Sequence, residues 1–492
     1  MATQIPKNRA TFTVAELVAI CAGALRAPGA EAGCTSISTS SRDIAPGGAF
    51  VALRGPNHDG HDHVAGAAAA GAVVAIVERD VDAPAEMAVV RVESTLRALG
   101  DLARAHVGRW RQVGARTLVG ITGSAGKTTT RVATAALVES LFPGQLIATR
   151  GNLNNRIGVP MMLFSLDSTH RACVVELGTS EPGEIEELCR IAQPDVGILT
   201  LIAAAHLDGL GSLDGVEQEK AALLRALPRE GVAVGNGDDA RVGRVLDESP
   251  ATRRIRYGRS GSAEVRVVER TPIGVTSSNL VIRHADGRTS TFDTPLVGEA
   301  GALACAGAIA AVEAAFGARL DGEQLGNAFR RVELGEGAQR LVPLALSSGL
   351  TVIDDTYNAN PTSMAASIRA VVEMSTAMSR PLVLVLGEMR ELGTEAAAGH
   401  DDVGRVAAAS SARLVVAIGS GEAHRMADQA RAAGIHVLFA PSVDDGLTAV
   451  LAAISASDMV LVKGSRSVGT DRIVAELERR HGGSAAREEA LP

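Results

Sequence analysis

The fold is decided by one stretch, Thr122-Gly123-Ser124-Ala125-Gly126-Lys127-Thr128-Thr129, which follows the apolar run 117–122 and precedes a helical pattern over 129–141. A glycine-rich turn between a strand and a helix points backbone N–H groups at phosphate oxygens, and the helix N-terminus adds positive potential. In such a loop Lys127 reaches the β- and γ-phosphates, and the Thr128 hydroxyl reaches Mg²⁺. The pattern is a short variant, G-x-x-G-K-T, because Ile121 stands where the longer consensus has a glycine. We predict a nucleoside-triphosphate site. The alternative is a strand-to-helix turn that binds nothing, and the Lys-Thr pair argues against it.

Apolar strands alternate with Ala-rich helices downstream of this stretch. Strands are predicted at 172–177, 196–201 and 232–236, with helical segments between them, which is typical of a parallel sheet with helical crossovers. The segment 264–292 alternates apolar and polar residues around Asp-Gly turn signals and predicts a hairpin. An Ala-rich helix over 300–316 closes this section.

Two further α/β sections flank the first one. The N-terminal section has predicted strands at 49–53, 73–77 and 88–92 and helices at 64–70 and 95–111. The C-terminal section has predicted strands at 350–354, 382–386, 414–418 and 459–462. The fold class is therefore α/β with three domains, predicted at 1–113, 114–337 and 338–492. The central domain is a parallel-sheet ATPase domain with the P-loop, and the C-terminal domain is Rossmann-like.

Composition excludes several functional classes. The chain has 492 residues, a net charge of −8 and no basic run, so a nucleic-acid partner is not expected. The five cysteines form no C-x-x-C pair, which is typical of reduced thiols. No apolar leader segment and no uncharged run of membrane-spanning length is seen, so a cytoplasmic protein without a membrane span is predicted.

Acidic, imidazole and amine side chains near strand ends are candidate ligands for a metal beside the triphosphate. Glu176 ends the strand 172–177, where α/β sheets present ligands, although an ordinary strand-end acid is the alternative. His206 follows the next strand, and a structural histidine is the alternative. Lys220 lies on a predicted helix, where spacing alone predicts a solvated surface lysine.

Two polar loops leave alternatives open. The loop 151–160 contains Asn152-Leu153-Asn154-Asn155 and is typical of a ligand-binding loop, but the amides could also cap a helix that starts after Pro160. The second loop holds three histidines, His58, His61 and His63. They suggest a zinc site, although so short a loop does not easily aim all three at one ion.

These segments together resemble the Mur ligase family over essentially the whole chain. The central section carries the resemblance in the loop 123–129, the segment 151–160, Val174-Val175-Glu176-Leu177-Gly178 and Ala204-Ala205-His206-Leu207-Asp208. The C-terminal section carries it in Asp354-Asp355-Thr356-Tyr357-Asn358-Ala359-Asn360-Pro361, in 387–393 and in Lys463-Gly464-Ser465-Arg466-Ser467. The N-terminal section, with Ser40-Ser41-Arg42, 50–55 and Asp59-Gly60-His61, looks like the UDP-binding domain.

The Asn-Leu-Asn-Asn and Asp-Asp-x-Tyr-Asn-Ala-Asn-Pro strings are similar to the branch that adds D-alanyl-D-alanine. The resemblance implies an ATP-dependent ligase of peptidoglycan precursor synthesis that acts on UDP-N-acetylmuramoyl-tripeptide through an acyl phosphate and releases ADP and phosphate. A monomer is expected. The Asp-Asn-Pro-Arg string of the diaminopimelate-adding branch is missing. The folate-polyglutamate branch is disfavoured by the Asn-rich loop and by the first section.

The resemblance also implies residue roles. Two Mg²⁺ ions are expected, one on Thr128 and Glu176 and the other on His206 and a carbamylated Lys220. The catalytic set is Lys127, Glu176, His206, Lys220 and Asn154. Nucleotide contacts are expected from Gly123, Ser124, Ala125, Gly126, Lys127, Thr128, Thr129, Arg340, Asp355, Tyr357, Asn358 and Asn360. Precursor contacts are expected from Ser41, Arg42, Asn154 and Asn155.

One segment departs from the family pattern. Ala300 and Ala304 stand where the family has a His and an Asn near the nucleotide, so either the register differs or adenosine is recognised differently. A non-catalytic nucleotide-binding partner of the cell-wall machinery is therefore a second hypothesis. A Mur ligase that adds a different amino acid is a third. The joint presence of Lys127, Glu176, His206 and Lys220 argues against a mere binding module.

Overall fold

The computed structural model describes residues 5–332 and 340–482, which form an α/β structure built on three main sheets. The predicted boundary at 337/338 lies outside the described residues. The other boundary, at 113/114, falls between the helix Thr95–Arg111 and the strand Thr117–Thr122.

The N-terminal part contains a five-stranded sheet whose three central neighbours, Ala88–Arg91, Val74–Val77 and Ala49–Val51, are parallel. The sheet runs in the order Ala24–Ala27, Ala88–Arg91, Val74–Val77, Ala49–Val51, Ile37–Ser38. Two short ribbons pair Phe12–Thr13 with Gly33–Cys34 and Arg54–Gly55 with His58–Asp59. The helices are Val14–Ile20, Val64–Ala69 and Thr95–Arg111, with a 3-10 turn at Gly60–His63.

The central part contains a nine-stranded sheet. Its order is Leu146–Ala148, Ala172–Glu176, Thr117–Thr122, Val196–Leu199, Val232–Asn236, Arg253–Gly258, Val265–Ile273, Ser277–Arg283, Thr289–Thr294. The first seven strands are parallel and the last two are added as antiparallel hairpins, so the predicted hairpin segment extends the sheet. The helices are Lys127–Leu141, Gly158–Leu163, Glu184–Ala192, Leu207–Leu210, Leu213–Arg225, Ala240–Asp247, Gly298–Phe316 and Gly322–Arg330.

The strand before the P-loop is buried on both faces, as expected for a parallel sheet with helices on either side. Successive side chains alternate between the faces, so Leu118 enters one hydrophobic core while Val119 and Ile121 enter the other. Gly120 lies so close to the helix Leu213–Arg225 that a Cβ would stand 3.0 Å from Leu223 Cδ1. Tight packing of that helix therefore fixes where its own side chains meet the sheet.

The helix Gly298–Phe316 is long and apolar enough to cross a bilayer by length and composition. Most of that apolar stretch, 67%, is buried inside the protein. It packs against the P-loop helix Lys127–Leu141 in the same core, together with Tyr257 and Phe292. It is thus the core helix of the central part.

The C-terminal part is a six-stranded, doubly wound sheet, as predicted. Its order is Val342–Ala345, Thr351–Asp355, Met459–Lys463, Leu382–Gly387, Leu414–Ile418, His436–Ala440, and only the first strand is antiparallel. The helices are Pro361–Ala377, Ala396–Ala408, Ala423–Ala432, Val443–Ala453 and Asp471–His481, with 3-10 turns at Gly393–Glu395 and Arg466–Val468.

The central and C-terminal parts touch along one side of the P-loop. Val297 of the central part packs into the hydrophobic core of the C-terminal part, and Arg270 forms an ion pair with Glu373. The Asn360 side-chain amide donates to the Ser124 carbonyl over 3.2 Å. The loop 123–129 therefore faces the loop 355–360 of the C-terminal part, and we call the region between these two loops the nucleotide cleft, after the predicted triphosphate site.

Candidate functional site

The P-loop owes its shape to two glycines with positive φ, Gly123 at 152° and Gly126 at 81°. Side chains rarely adopt these conformations, and glycine does so freely. A Cβ on Gly123 would also lie 2.0 Å from Thr200 Oγ1. Glycine at position 123 is therefore required by the backbone conformation. It is also required by the close approach of Thr200, which follows the neighbouring strand Val196–Leu199.

The same neighbouring segment ties the loop in place by hydrogen bonds. The Ser124 N–H donates to Leu201 O over 2.8 Å, and its hydroxyl donates to Ala203 O over 2.7 Å. The Thr200 hydroxyl donates to Ala125 O over 2.6 Å. These three hydrogen bonds join the loop to the segment 200–203 and hold it in one conformation.

Lys127 folds back over the loop, and its Nζ donates to Gly123 O over 2.7 Å. Burial lowers the pKa of Lys127, while the Glu176 carboxylate opposes that shift. Thr128, the next residue of the helix, is buried with its hydroxyl in the first helical turn. The lysine and the threonine thus stand where the motif places them, at the N-terminus of the helix Lys127–Leu141.

Glu176 ends its strand with the side chain 3% exposed. Its Oε1 accepts from Asn154 Nδ2 over 3.0 Å. Its Oε2 is buried and has no hydrogen-bond partner among the described residues, and Arg131 Nε lies 3.6 Å away. A buried carboxylate oxygen without a donor is costly, so this oxygen is suited to a cation that arrives with a ligand.

The two neighbouring asparagines of the polar loop separate into different roles. Asn154 turns inward to Glu176. Asn155 accepts from the N–H groups of Ile157 and Gly158, at 3.1 Å and 2.8 Å, and so caps the helix Gly158–Leu163. The predicted start of this helix after Pro160 was wrong, because this cap places Gly158 first and the proline inside the opening turn.

His206 sits in a left-handed conformation with φ 54°. Its Nδ1 lies 2.6 Å from Glu391 Oε2, and the next residue, Leu207, donates its N–H to Glu391 O over 2.9 Å. Glu391 is itself left-handed, with φ 63°. Burial lowers the pKa of His206, and the Lys127 ammonium adds to this shift.

Lys220 is 1% exposed, so the surface position suggested by its spacing was wrong. The buried residues of its helix include Val216, Glu219, Lys220, Leu223 and Leu224, a stripe in which the lysine takes an apolar place. Burial, and next the Lys127 ammonium, hold the pKa of Lys220 well below its usual range. Both effects favour the neutral amine over the ammonium form of Lys220.

The C-terminal part contributes an aromatic ring that lies close to two guanidinium groups. Arg340 Cζ lies 4.7 Å from the centroid of the Tyr357 ring, and Arg466 Cζ lies 5.7 Å from it. Arg340 Nε is buried without a hydrogen-bond partner among the described residues. Burial raises the pKa of Tyr357, so the ring is a neutral phenol that both cations can stack on.

A buried ion pair supports the loop that carries Tyr357. Lys463 Nζ lies 2.8 Å from Asp355 Oδ2 and donates to Asn358 O over 2.9 Å. Asn360 caps the helix Pro361–Ala377 by accepting from the Ser363 N–H. Of the predicted nucleotide contacts in this loop, Asp355, Asn358 and Asn360 thus have structural partners already.

The remaining predicted residues lie elsewhere. Ser41 and Arg42 lie on the loop between Ile37–Ser38 and Ala49–Val51, and the Arg42 guanidinium forms no ion pair with any described residue. At the helix start, Ala300 is exposed and Ala304 is buried. They offer no polar group to a nucleotide.

The histidine-rich loop is held by structural contacts. The His61 ring joins Asp59 Oδ1 at 2.6 Å to the Glu78 N–H at 2.7 Å, and His58 stacks on His63. Within residues 5–332 and 340–482 no group of three or more metal-binding side chains is formed. The zinc interpretation of this loop therefore finds no support.

Three residues of the site were missed by sequence reasoning: Arg131, Glu391 and Lys463. Arg131 follows Lys127 by four positions, the spacing that puts both on one helix face, and this signal was available. Lys463 ends a buried strand at the sheet edge where ligands bind, which was also readable. Glu391 lies in the segment 387–393 that carries the family resemblance, but nothing local assigned it a role, because its contact with His206 joins segments 185 positions apart.

Comparisons with known proteins cover nearly the whole chain. Family models for the Mur ligase catalytic domain, middle domain and glutamate ligase domain match residues 34–107, 121–312 and 339–466. The chain is 34% identical to UDP-N-acetylmuramoyl-tripeptide–D-alanyl-D-alanine ligase of Escherichia coli, over 95% of this chain and 98% of that protein.

Solved structures are similar over the same extent. MurF from Acinetobacter baumannii is 30% identical, with a TM-score of 0.84 over 96% of this chain and 99% of that one. MurF ligase from Thermotoga maritima, solved with ADP, is 25% identical, with a TM-score of 0.76 over 90% and 97%.

Proposed function

The chain belongs to the Mur ligase family, and we propose that it joins D-alanyl-D-alanine to UDP-N-acetylmuramoyl-tripeptide with conversion of ATP to ADP and phosphate. One structural observation carries the proposal. Lys127 and Glu176 of the central part share one cleft with Arg340 and Tyr357 of the C-terminal part. A triphosphate bound on the P-loop therefore lies against groups from both parts.

The reaction needs an activated carboxyl group, because a carboxylate is a poor electrophile. The terminal carboxylate oxygen attacks the γ-phosphorus of ATP, the bond between that phosphorus and the bridging oxygen breaks, and ADP leaves. The free amine of D-alanyl-D-alanine then attacks the acyl carbon, phosphate leaves, and the nitrogen releases a proton as the amide forms. Lys127 and Arg340 offset the repulsion between the carboxylate and the triphosphate.

The residues present fit divalent metal ions. Glu176 Oε2 is a buried acceptor without a donor among the described residues, and Thr128 stands beside the phosphate position of the loop. These two would hold one Mg²⁺, and His206 with Lys220 would hold a second. When bound, the ions neutralise charge that builds up on the phosphoryl oxygens.

Lys220 fits as a metal ligand only after a chemical change. A neutral amine reacts with CO₂ to give a carbamate and a proton, which turns a would-be cation into a carboxylate-like ligand. Burial of Lys220 and the lowering of its pKa favour the neutral amine that this reaction requires.

We assign the parts of the chain as units of this activity. Residues 1–113 would bind the UDP-linked precursor, with Ser41 and Arg42 in contact, residues 114–337 would bind ATP, and 338–492 would close over it. Asn154, bonded to Glu176, would meet the precursor carboxylate, and Asn155 would act only by capping its helix. A cytoplasmic monomer that binds no nucleic acid is part of the same proposal, and the net charge of −8 agrees with it.

The deciding experiment measures phosphate release from ATP with each substrate omitted in turn, together with the mass of the nucleotide product. Release that requires both the tripeptide precursor and D-alanyl-D-alanine, with a UDP-pentapeptide mass, is the expected result. ATP binding without release in any mixture would instead favour the non-catalytic nucleotide-binding partner. Release with a single amino acid in place of the dipeptide would favour another Mur ligase branch.

A further inference from the structure

Arg131 lies on the P-loop helix one turn after Lys127, with its side chain 12% exposed. Residues four apart on a helix share a face, so its guanidinium points to the same cleft as the Lys127 ammonium. Its one ion pair among the described residues is with Glu176, at 3.6 Å between Nε and Oε2. Nε itself is buried and lacks a hydrogen-bond acceptor among those residues.

The nucleotide cleft carries more positive than negative charge. Arg340 acts electrostatically on both Lys127 and Arg131, and Glu176 is the single carboxylate among the charges that act most strongly on these two cations. Burial lowers the pKa of Arg131, and Arg340 lowers it further. Buried cations without matching anions are unfavourable, so the cleft is suited to an anionic ligand.

Glu176 cannot serve Arg131 and a metal ion equally. A divalent ion on Oε2 would stand against the guanidinium a few ångströms away, and like charges at that separation repel strongly in a buried site. The guanidinium must then turn to another acceptor. The triphosphate supplies oxygens in pairs, which match the two parallel N–H groups of an arginine.

We propose that Arg131 is a phosphate-binding residue that pairs with Glu176 in the free protein and with the terminal phosphate oxygens of bound nucleotide. This inference rests on the proposed ATP-dependent function. It separates Arg131 from the P-loop contacts, because the side chain approaches from the Glu176 side. Under this proposal Arg131 and Mg²⁺ compete for the Glu176 carboxylate. Both of them then bind the phosphate oxygens once nucleotide is present.

Calorimetry of nucleotide binding to the full chain tests this, with and without metal. In EDTA, R131Q should bind a non-hydrolysable ATP analogue roughly tenfold more weakly than the unchanged protein, since a charge-assisted contact is lost. AMP, which lacks the terminal phosphates, should bind both proteins equally. The Mg²⁺ concentration that gives half of the metal-dependent gain in affinity should fall in R131Q, because the competitor of the metal is gone.

A matched control is R319Q, which removes an exposed arginine of the same part of the chain that pairs with Asp286. It should change none of these values. R131K keeps the charge but loses the paired N–H groups, and should bind the analogue several-fold more weakly in EDTA. R131K keeps a cation beside Glu176. If R131Q does not fold, the affinity of R131K therefore tests the proposal.

Equal metal-free affinity of R131Q or R131K and the unchanged protein for the analogue would overturn the proposal. Arg131 would then only neutralise Glu176. If the unchanged protein binds neither nucleotide, the proposed function fails as a whole. If it binds ATP and forms product while R131Q binds as tightly without metal, only the role of Arg131 fails.

Discussion

Replacing Lys463 by methionine removes one half of a buried ion pair with little change in side-chain length. The two partners, Lys463 and Asp355, are 3% and 6% exposed and 2.8 Å apart. In K463M the Asp355 carboxylate stays buried, with the Ser367 hydroxyl as its remaining side-chain donor. Breaking a buried pair from one side costs about 3–5 kcal/mol, so we expect a loss of that size in the unfolding free energy of the C-terminal part.

Scanning calorimetry measures the effect, because a chain of several domains shows separate unfolding transitions. A loss of 1 kcal/mol lowers the melting temperature of a domain of this size class by about 2–4 °C. The transition of the C-terminal part should therefore fall by about 6–20 °C. Nucleotide affinity should fall too, since the Lys463 bond to Asn358 O, which holds the Tyr357 loop, is lost.

Two controls sharpen the result. R472M breaks the exposed pair with Asp444 and should cost under about 1 kcal/mol. The double variant K463M/D355L replaces both charges by apolar groups and should recover much of the stability. A loss below about 1 kcal/mol in K463M, or a double variant no more stable than K463M, would refute the reasoning, since the buried charge would then carry no cost.

Three further predictions concern single side chains. N154A should lower turnover with little loss of stability. N155A should keep turnover but lose about 1 kcal/mol of unfolding free energy in a urea titration, because its helix cap is lost. The reverse result would contradict the division of roles between the two asparagines. K220A should be inactive at any bicarbonate concentration, whereas the unchanged protein should lose activity when CO₂ is removed and regain it with bicarbonate; indifference to bicarbonate would rule out the carbamate. Burial lowers the pKa of His400 below its usual 6.5, and its neutral ring accepts the Met389 N–H. The contribution of His400 to the unfolding free energy is therefore complete above pH 6.5 and declines as the pH falls toward the lowered pKa. H400Q should flatten the loss of unfolding free energy between about pH 7 and pH 5 in urea titrations, and an unchanged slope would show that His400 does not titrate on unfolding.

Strand and helix identity was predictable wherever the apolar pattern was strong. The strand Thr117–Thr122 and the helix Thr95–Arg111 have the predicted bounds, because fully buried strands and long amphipathic helices leave a clear period. The edge strands Ala24–Ala27 and His436–Ala440 were missed. Their residues are largely exposed or half-buried, so they lack the apolar run that marks a central strand.

The site was predictable as a set of segments but not as a set of contacts. The P-loop motif singled out Lys127, and its position at a strand end singled out Glu176; the strand ends of a parallel sheet bring the two together. Lys220 lies in the buried stripe of its helix. The helical spacing would have predicted this burial if the lysine had been counted among the apolar positions. The meeting of His206 with Glu391 depends on how two domains sit together, which no local pattern encodes.

Lys127 already satisfies the Gly123 carbonyl, and the neighbouring segment already holds Ser124 and Ala125. The loop therefore needs no folding step when nucleotide arrives, and only the lysine must exchange one oxygen for another. Side-chain exchange of this kind is complete within nanoseconds, whereas domain motions take microseconds to milliseconds. We therefore expect the rate of nucleotide exchange to depend on how often the two parts separate, so a variant that loosens their contact should change this rate and leave the conformation of the loop unchanged.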